Sequence, residues 1–96
     1  MTPLFVVRST TRFDREFHKL IRRHPQLAAA YQRACAMLET DPYNRSRQHP
    51  IKKLEGMSPG HGQYRVRFGR FRFRYDIEGQ IVYLKACSLR REGTYR

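Results

Sequence analysis

The first apolar positions, Leu4 to Val7, form a brief β-prone run that predicts an opening strand. Phe13, Phe17, Leu20 and Ile21 then fall at helical spacing, which predicts an amphipathic helix from about Arg12 to Arg23 with Thr11 as N-cap and Asp14 as its capping-box partner. Pro25 suits the first turn of a second helix, whose apolar face is Leu27, Tyr31, Ala34 and Leu38 and which Asp41-Pro42 ends. Two helices joined by a tight turn make an αα-hairpin. Residues 41–62 read as loop, interrupted only by a short extended piece at Ile51-Lys52-Lys53-Leu54.

From Gln63 the period changes to two. Tyr64, Val66 and Phe68 alternate with Arg65 and Arg67; Phe71, Phe73, Tyr75 and Ile77 alternate with Arg72, Arg74 and Asp76. Gly69-Arg70 between them has the glycine-first pattern of a two-residue hairpin turn. That turn places Phe68 opposite Phe71, Arg67 opposite Arg72, Val66 opposite Phe73 and Arg65 opposite Arg74. Successive side chains point to opposite faces, so one face is aromatic and aliphatic and the other carries four arginines. A second turn at Glu78-Gly79 leads to a last strand, Ile81 to Leu89. If that turn has two residues, Val82, Leu84 and Ala86 join the core, and Tyr83 and Lys85 stand beside Arg74 and Arg72. The fold class is α+β: an N-terminal strand, an αα-hairpin, then a three-stranded antiparallel meander packed on the helices, in a single domain spanning 1–96.

Charge sharpens this picture. Twenty Lys+Arg against eight Asp+Glu give a formal charge of +12, and sixteen of the twenty cations are arginine. Such a surface attracts polyanions, and guanidinium favours planar, bidentate contact with phosphate. Like charges directly opposite on adjacent strands destabilise a sheet, and Gln63 to Tyr75 contains no acid to relieve them. A face kept merely soluble would interleave Glu or Thr. The arginine face therefore reads as a surface that clamps a phosphate backbone.

The eight acids are dispersed along the chain, and no Cys/His group has zinc spacing, so no metal site is read. Cys35 and Cys87 read as buried thiols in a reducing cytosol, and Met1 to Arg8 as neither a signal peptide nor a membrane span, which predicts a cytoplasmic protein. A metal-free route to RNA cleavage remains, because RNA carries its own nucleophile in the 2′-hydroxyl. Arginines can position the phosphate and stabilise its developing charge, but with a pKa above about 12 they make poor general bases.

Lys53-Leu54-x-Gly56, Tyr64-Arg65-Val66-Arg67, Arg72-Phe73-Arg74-Tyr75 and Arg91-x-x-x-Tyr95, taken in order, resemble the RelE/ParE toxin superfamily. The resemblance implies a RelE-type toxin of a toxin–antitoxin system, an mRNA interferase that enters the ribosomal A site. This endoribonuclease cuts the exposed codon by metal-independent 2′-OH attack, leaves a 2′,3′-cyclic phosphate and a 5′-hydroxyl, and so inhibits translation. It implies no cofactor. The implied partners are the ribosome with its mRNA and a cognate antitoxin with an acidic wrapping segment, through which alone promoter DNA is bound. Carried over by residue, the family's lysine pair on the first meander strand falls on Arg65 and Arg67, the arginine of the next strand on Arg72, and the C-terminal arginine and tyrosine on Arg91 and Tyr95.

In this reading Arg72 and Arg91 hold the scissile phosphate, Arg65 and Arg67 stabilise charge and position RNA, and Tyr95 stacks on a base or moves a proton. Strand parity places Arg91 on the face of Lys85 and Arg72. Lys52, Lys53, Arg74, Lys85, Arg90 and His61 widen the RNA-binding footprint. Two departures from the family pattern bear on proton transfer: arginine replaces lysine at 65 and 67, and Arg90 stands where many relatives have histidine. Proton transfer then falls to Tyr95 or His61. Two other readings stay open on the same residues: a ParE-like DNA gyrase inhibitor of the same fold, and a basic RNA- or ribosome-binding module without catalysis.

Overall fold

The computed structural model describes residues 4–58 and 60–90. In chain order its elements are β1 (Val6–Ser9), α1 (Thr11–Ile21), α2 (Leu27–Thr40), β2 (Ile51–Lys53), β3 (Tyr64–Phe68), β4 (Phe71–Glu78) and β5 (Ile81–Leu89). The strands form a five-stranded sheet in the order β1-β5-β4-β3-β2. β1 runs parallel to β5, and the other neighbours are antiparallel.

This corrects the expected three-stranded meander: the sheet is mixed and extends at both edges. β5 would otherwise present a row of unpaired backbone groups, and β1 satisfies it, beginning with the Val6 N–H on the Gln80 carbonyl at 2.8 Å. At the other edge Ile51 pairs with Val66, so the short piece read before β3 is a true strand. Its approach is fixed by a hydrogen-bonded loop. The Asp41 carboxylate accepts the Arg45 and Ser46 N–H groups at 2.8 and 3.2 Å, and the Asn44 amide bridges to the His49 backbone.

The helix boundaries shift slightly. α1 starts one residue earlier than read, with Thr10 as its N-cap. The Thr10 hydroxyl accepts the Phe13 N–H at 3.3 Å and donates to the Leu84 carbonyl at 2.8 Å, tying the helix start to β5. Pro25 sits in the turn before α2 rather than inside the helix, which takes Gln26 as its N-cap.

Both helices lie on the aromatic face of the sheet. Phe13, Leu27, Ala34 and Leu38 meet Val66, Phe71, Phe73, Tyr75, Val82, Leu84 and Cys87 in one buried cluster. Phe13 and Phe73 approach at 6.0 Å between ring centroids, and Tyr64 stacks on Tyr75 at 5.5 Å. Ala86, expected in this core, is buried but stands outside the cluster. Cys87 is buried as expected, whereas Cys35 is only half-buried. Among the described residues no helix is long and apolar enough to cross a membrane.

Tyr75 joins core to loop: its fully buried hydroxyl donates to the Pro42 carbonyl at 2.7 Å. Burial pushes the Tyr75 phenol far above its usual range and that of half-buried Tyr31 up to about 12. An unfolded chain releases both protons above about pH 10, while the folded chain keeps them, so folding stability falls as pH rises beyond that point. Tyr75→Phe leaves the Pro42 carbonyl unpaired and is expected to cost about 1–3 kcal/mol near neutral pH. The same substitution should flatten the alkaline loss of stability; urea unfolding at a series of pH values measures both effects.

Candidate nucleic-acid interface

Gly69 takes a φ of 58°, as a glycine-first hairpin turn requires. The resulting register pairs Phe68 with Phe71, Arg67 with Arg72, Val66 with Phe73 and Arg65 with Arg74, as read from the sequence. Arg65, Arg67, Arg72 and Arg74 therefore share the face turned away from the helices. β2 extends it, because Lys52 pairs with Arg65. Lys53 belongs to the other side, its amine 5.7 Å from the centre of the Tyr64 ring. A basic row, Lys52–Arg65–Arg74, thus crosses three strands at about 4.8 Å per step, with Arg67–Arg72 beside it.

Arg72 is half-buried, and its Nε is a buried donor without a hydrogen-bond partner. A desolvated guanidinium N–H of this kind favours an anionic acceptor. Arg67 is exposed beside it. Burial pushes the Tyr64 and Tyr75 phenols upward, and both rings lie on the core side, as expected.

The last strand departs from simple alternation. Glu78 pairs with Ile81, so the turn is Gly79-Gln80 rather than Glu78-Gly79. A bulge then shifts the register at Arg74/Tyr75: Leu84 faces Tyr75, Ala86 faces Arg74, and Lys85 is the extra residue between them. Tyr83 consequently stands opposite Asp76 rather than Arg74, and Ser88 opposite Arg72. Lys85 remains near Arg74, its amine 5.4 Å from the centre of the Tyr83 ring. Beyond the bulge Cys87 and Leu89 turn to the core, opposite Phe73 and Phe71, so the parity that was to lead from Lys85 to Arg91 is interrupted. Arg91 and Tyr95 lie outside the described residues. The Arg90 N–H bonds the Arg70 carbonyl at 2.6 Å, at the hairpin end of the face.

Sequence reading missed one feature of the face. Asp76 is 6% exposed, and its two carboxylate oxygens accept the N–H groups of Gly62 and Gln63 at 2.9 and 2.8 Å. Arg74, expected to bind RNA, donates instead to the carbonyls of Gly62 and His61 at 3.2 and 2.6 Å. Gly62 has a φ of 85°, and a Cβ there would lie 2.9 Å from that of Arg74, so only glycine fits. Part of the signal was present: strand alternation sets Asp76 on the same face as Arg72 and Arg74. Nothing in the sequence pattern, however, pairs a strand acid with a loop's amides.

A mixed five-stranded sheet with helices on one face and a cationic surface on the other defines a small α+β protein. No family model and no curated protein matches the chain. Among solved structures, the chain is similar to the toxin of the RelBE2 toxin–antitoxin complex from Mycobacterium tuberculosis, with a TM-score of 0.69 and 26% identity over 92% of this chain and 99% of that one. It is also similar to RelE in the archaeal RelE–RelB complex from Pyrococcus horikoshii, with a TM-score of 0.62 and 21% identity over 97% of this chain and 100% of that one. The chain has the RelE-type toxin fold.

The Arg67–Arg72 pair opposes folding, since like charges face each other across two strands. Arg67→Thr is expected to raise stability by about 0.2–1 kcal/mol. The gain should shrink as salt is added, which chemical denaturation at low and high ionic strength will show.

Proposed function

We propose that this protein is the toxin of a toxin–antitoxin pair and acts as a ribosome-dependent endoribonuclease on mRNA. The observation that carries this reading is the gathering of Arg65, Arg67 and Arg72 on one face, with the buried Arg72 Nε unpartnered. That arrangement supplies two things that transesterification of RNA draws on: phosphate positioning and stabilisation of the charge that develops on phosphorus. Among the described residues no three His, Cys, Asp or Glu side chains come together.

In the proposed reaction the 2′-oxygen attacks the neighbouring phosphorus, the bond to the 5′-oxygen breaks, and a 2′,3′-cyclic phosphate and a 5′-hydroxyl result. Arg72 holds the scissile phosphate, with Arg91 as its second clamp. Arg65 and Arg67 stabilise charge and orient the strand, and Tyr95 stacks on a base. Lys52, Lys85 and Arg90 extend the contact along the backbone, while Arg74 also holds the His61 carbonyl and Lys53 lies over the Tyr64 ring. The A site of a translating ribosome would present the codon to this face.

Both similar structures are complexes of a toxin with its antitoxin. A net charge of +12 suits the same kind of partner here, an antitoxin whose acidic segment covers the arginine face and through which the pair reaches promoter DNA.

Primer extension on a translated mRNA, with the protein induced, tests the reading. Cuts should fall within translated regions, and Arg72→Ala should lower their rate by about 10²–10³-fold while the variant still binds ribosomes. Intact message during clear growth arrest would sink the reading, and inhibited gyrase supercoiling in the same cells would replace it with the ParE-like one.

A further inference from the structure

The arginine face is rich in guanidinium and poor in groups that exchange protons near neutral pH, where arginine stays protonated. Histidine is the side chain suited to that task. Three of the four histidines are engaged elsewhere: His18 lies edge-on to Phe17, His24 edge-on to Phe71, and His49 pairs with Asp41 at 3.5 Å. His61 is different. It is exposed, and its own carbonyl takes the Arg74 Nη2 at 2.6 Å, which sets its backbone against a residue of the arginine face.

The hold on this backbone is unusually complete. Gly62 is gripped from both sides, its N–H by Asp76 and its carbonyl by Arg74, and Asp76 also takes the Gln63 N–H. Two opposite charges on one strand thus fix three consecutive loop residues through four hydrogen bonds. Burying a carboxylate to 6% exposure is unfavourable unless its hydrogen bonds are made, and here they are made to a loop rather than to a neighbouring cation.

We propose that Arg74 and Asp76 form a charged clamp that positions His61 at the rim of the arginine face as the proton-transfer group for RNA cleavage, an inference that rests on the ribonuclease reading. The His61 imidazole takes the 2′-hydroxyl proton as the 2′-oxygen bonds to phosphorus. The bond between phosphorus and the 5′-oxygen breaks, the 5′-oxygen takes a proton from solvent, and the imidazolium then returns its proton to solvent. Arg74 and Asp76 are positioning residues, and His61 is the catalytic one. The charged and titratable groups around the clamp are Arg74 and Asp76 of β4, Tyr83 of β5 opposite Asp76, and Arg65 and Lys52 in the row of Arg74. Glu55 lies in the same loop as His61.

The test is the pH dependence of single-turnover cleavage of an mRNA on a programmed ribosome, with the full-length protein. The unaltered protein should show a limb that rises with pH as the catalytic base loses its proton. His61→Ala should lose that limb and about 10²–10⁴-fold in rate, and added imidazole should restore part of it. Asp76→Asn and Arg74→Lys should weaken the limb with ribosome binding kept, while circular dichroism confirms that each is folded. An unchanged limb in His61→Ala, or the absence of rescue by imidazole, would overturn the proposal and leave the ribonuclease reading standing. No cleavage by the unaltered protein would overturn both.

Discussion

The Gly69-Arg70 turn is the constraint on which the molecule depends. Because strand side chains alternate with a period of two, a slip of one residue at that turn would carry Phe71, Phe73 and Tyr75 into solvent and the arginines into the core. The glycine's positive φ locks the register, and the helices reward it by covering the aromatic side. Core and charged surface are therefore two readings of the same hydrogen-bonded ladder.

That ladder carries a built-in opposition. Arg67 faces Arg72, and Arg65 faces Arg74, with Lys52 next in line. Each such juxtaposition works against folding, yet the stacked rings of Tyr64 and Tyr75 and the packing of Phe13 on Phe73 hold the strands together from behind. Arg74 turns its charge towards the protein's own carbonyls. The stability that tolerates the crowded cations comes from the opposite side of the sheet.

The central hairpin was legible in the sequence because everything that specifies it is local: a glycine-led turn and two strands of strict alternation. The helices were legible for the same reason, although Thr10 rather than Thr11 caps the first, since its hydroxyl also serves β5. What escaped was non-local. The parallel pairing of β1 with β5 joins distant parts of the chain with no turn to announce it, and β2 has only three residues. The β5 bulge left only a faint mark in the hydrophobic pattern, the odd spacing from Leu84 to Leu89, because Ala86 is small enough to suit either face. The arginine face followed from the alternation, whereas the diversion of Arg74 to a loop depends on where residues 61–63 travel in space.

The bulge in β5 has a mechanical effect on the chain that follows it. By inserting Lys85 without a partner, it sets the far half of the strand out of phase with the near half: Val82 and Leu84 point inward before it, Cys87 and Leu89 after it. Alternation continued from Ser88 brings Arg90 out on the cationic side at the hairpin end. One supernumerary residue thus acts as a phase shifter, choosing from five positions upstream the side of the sheet to which Arg90 is delivered.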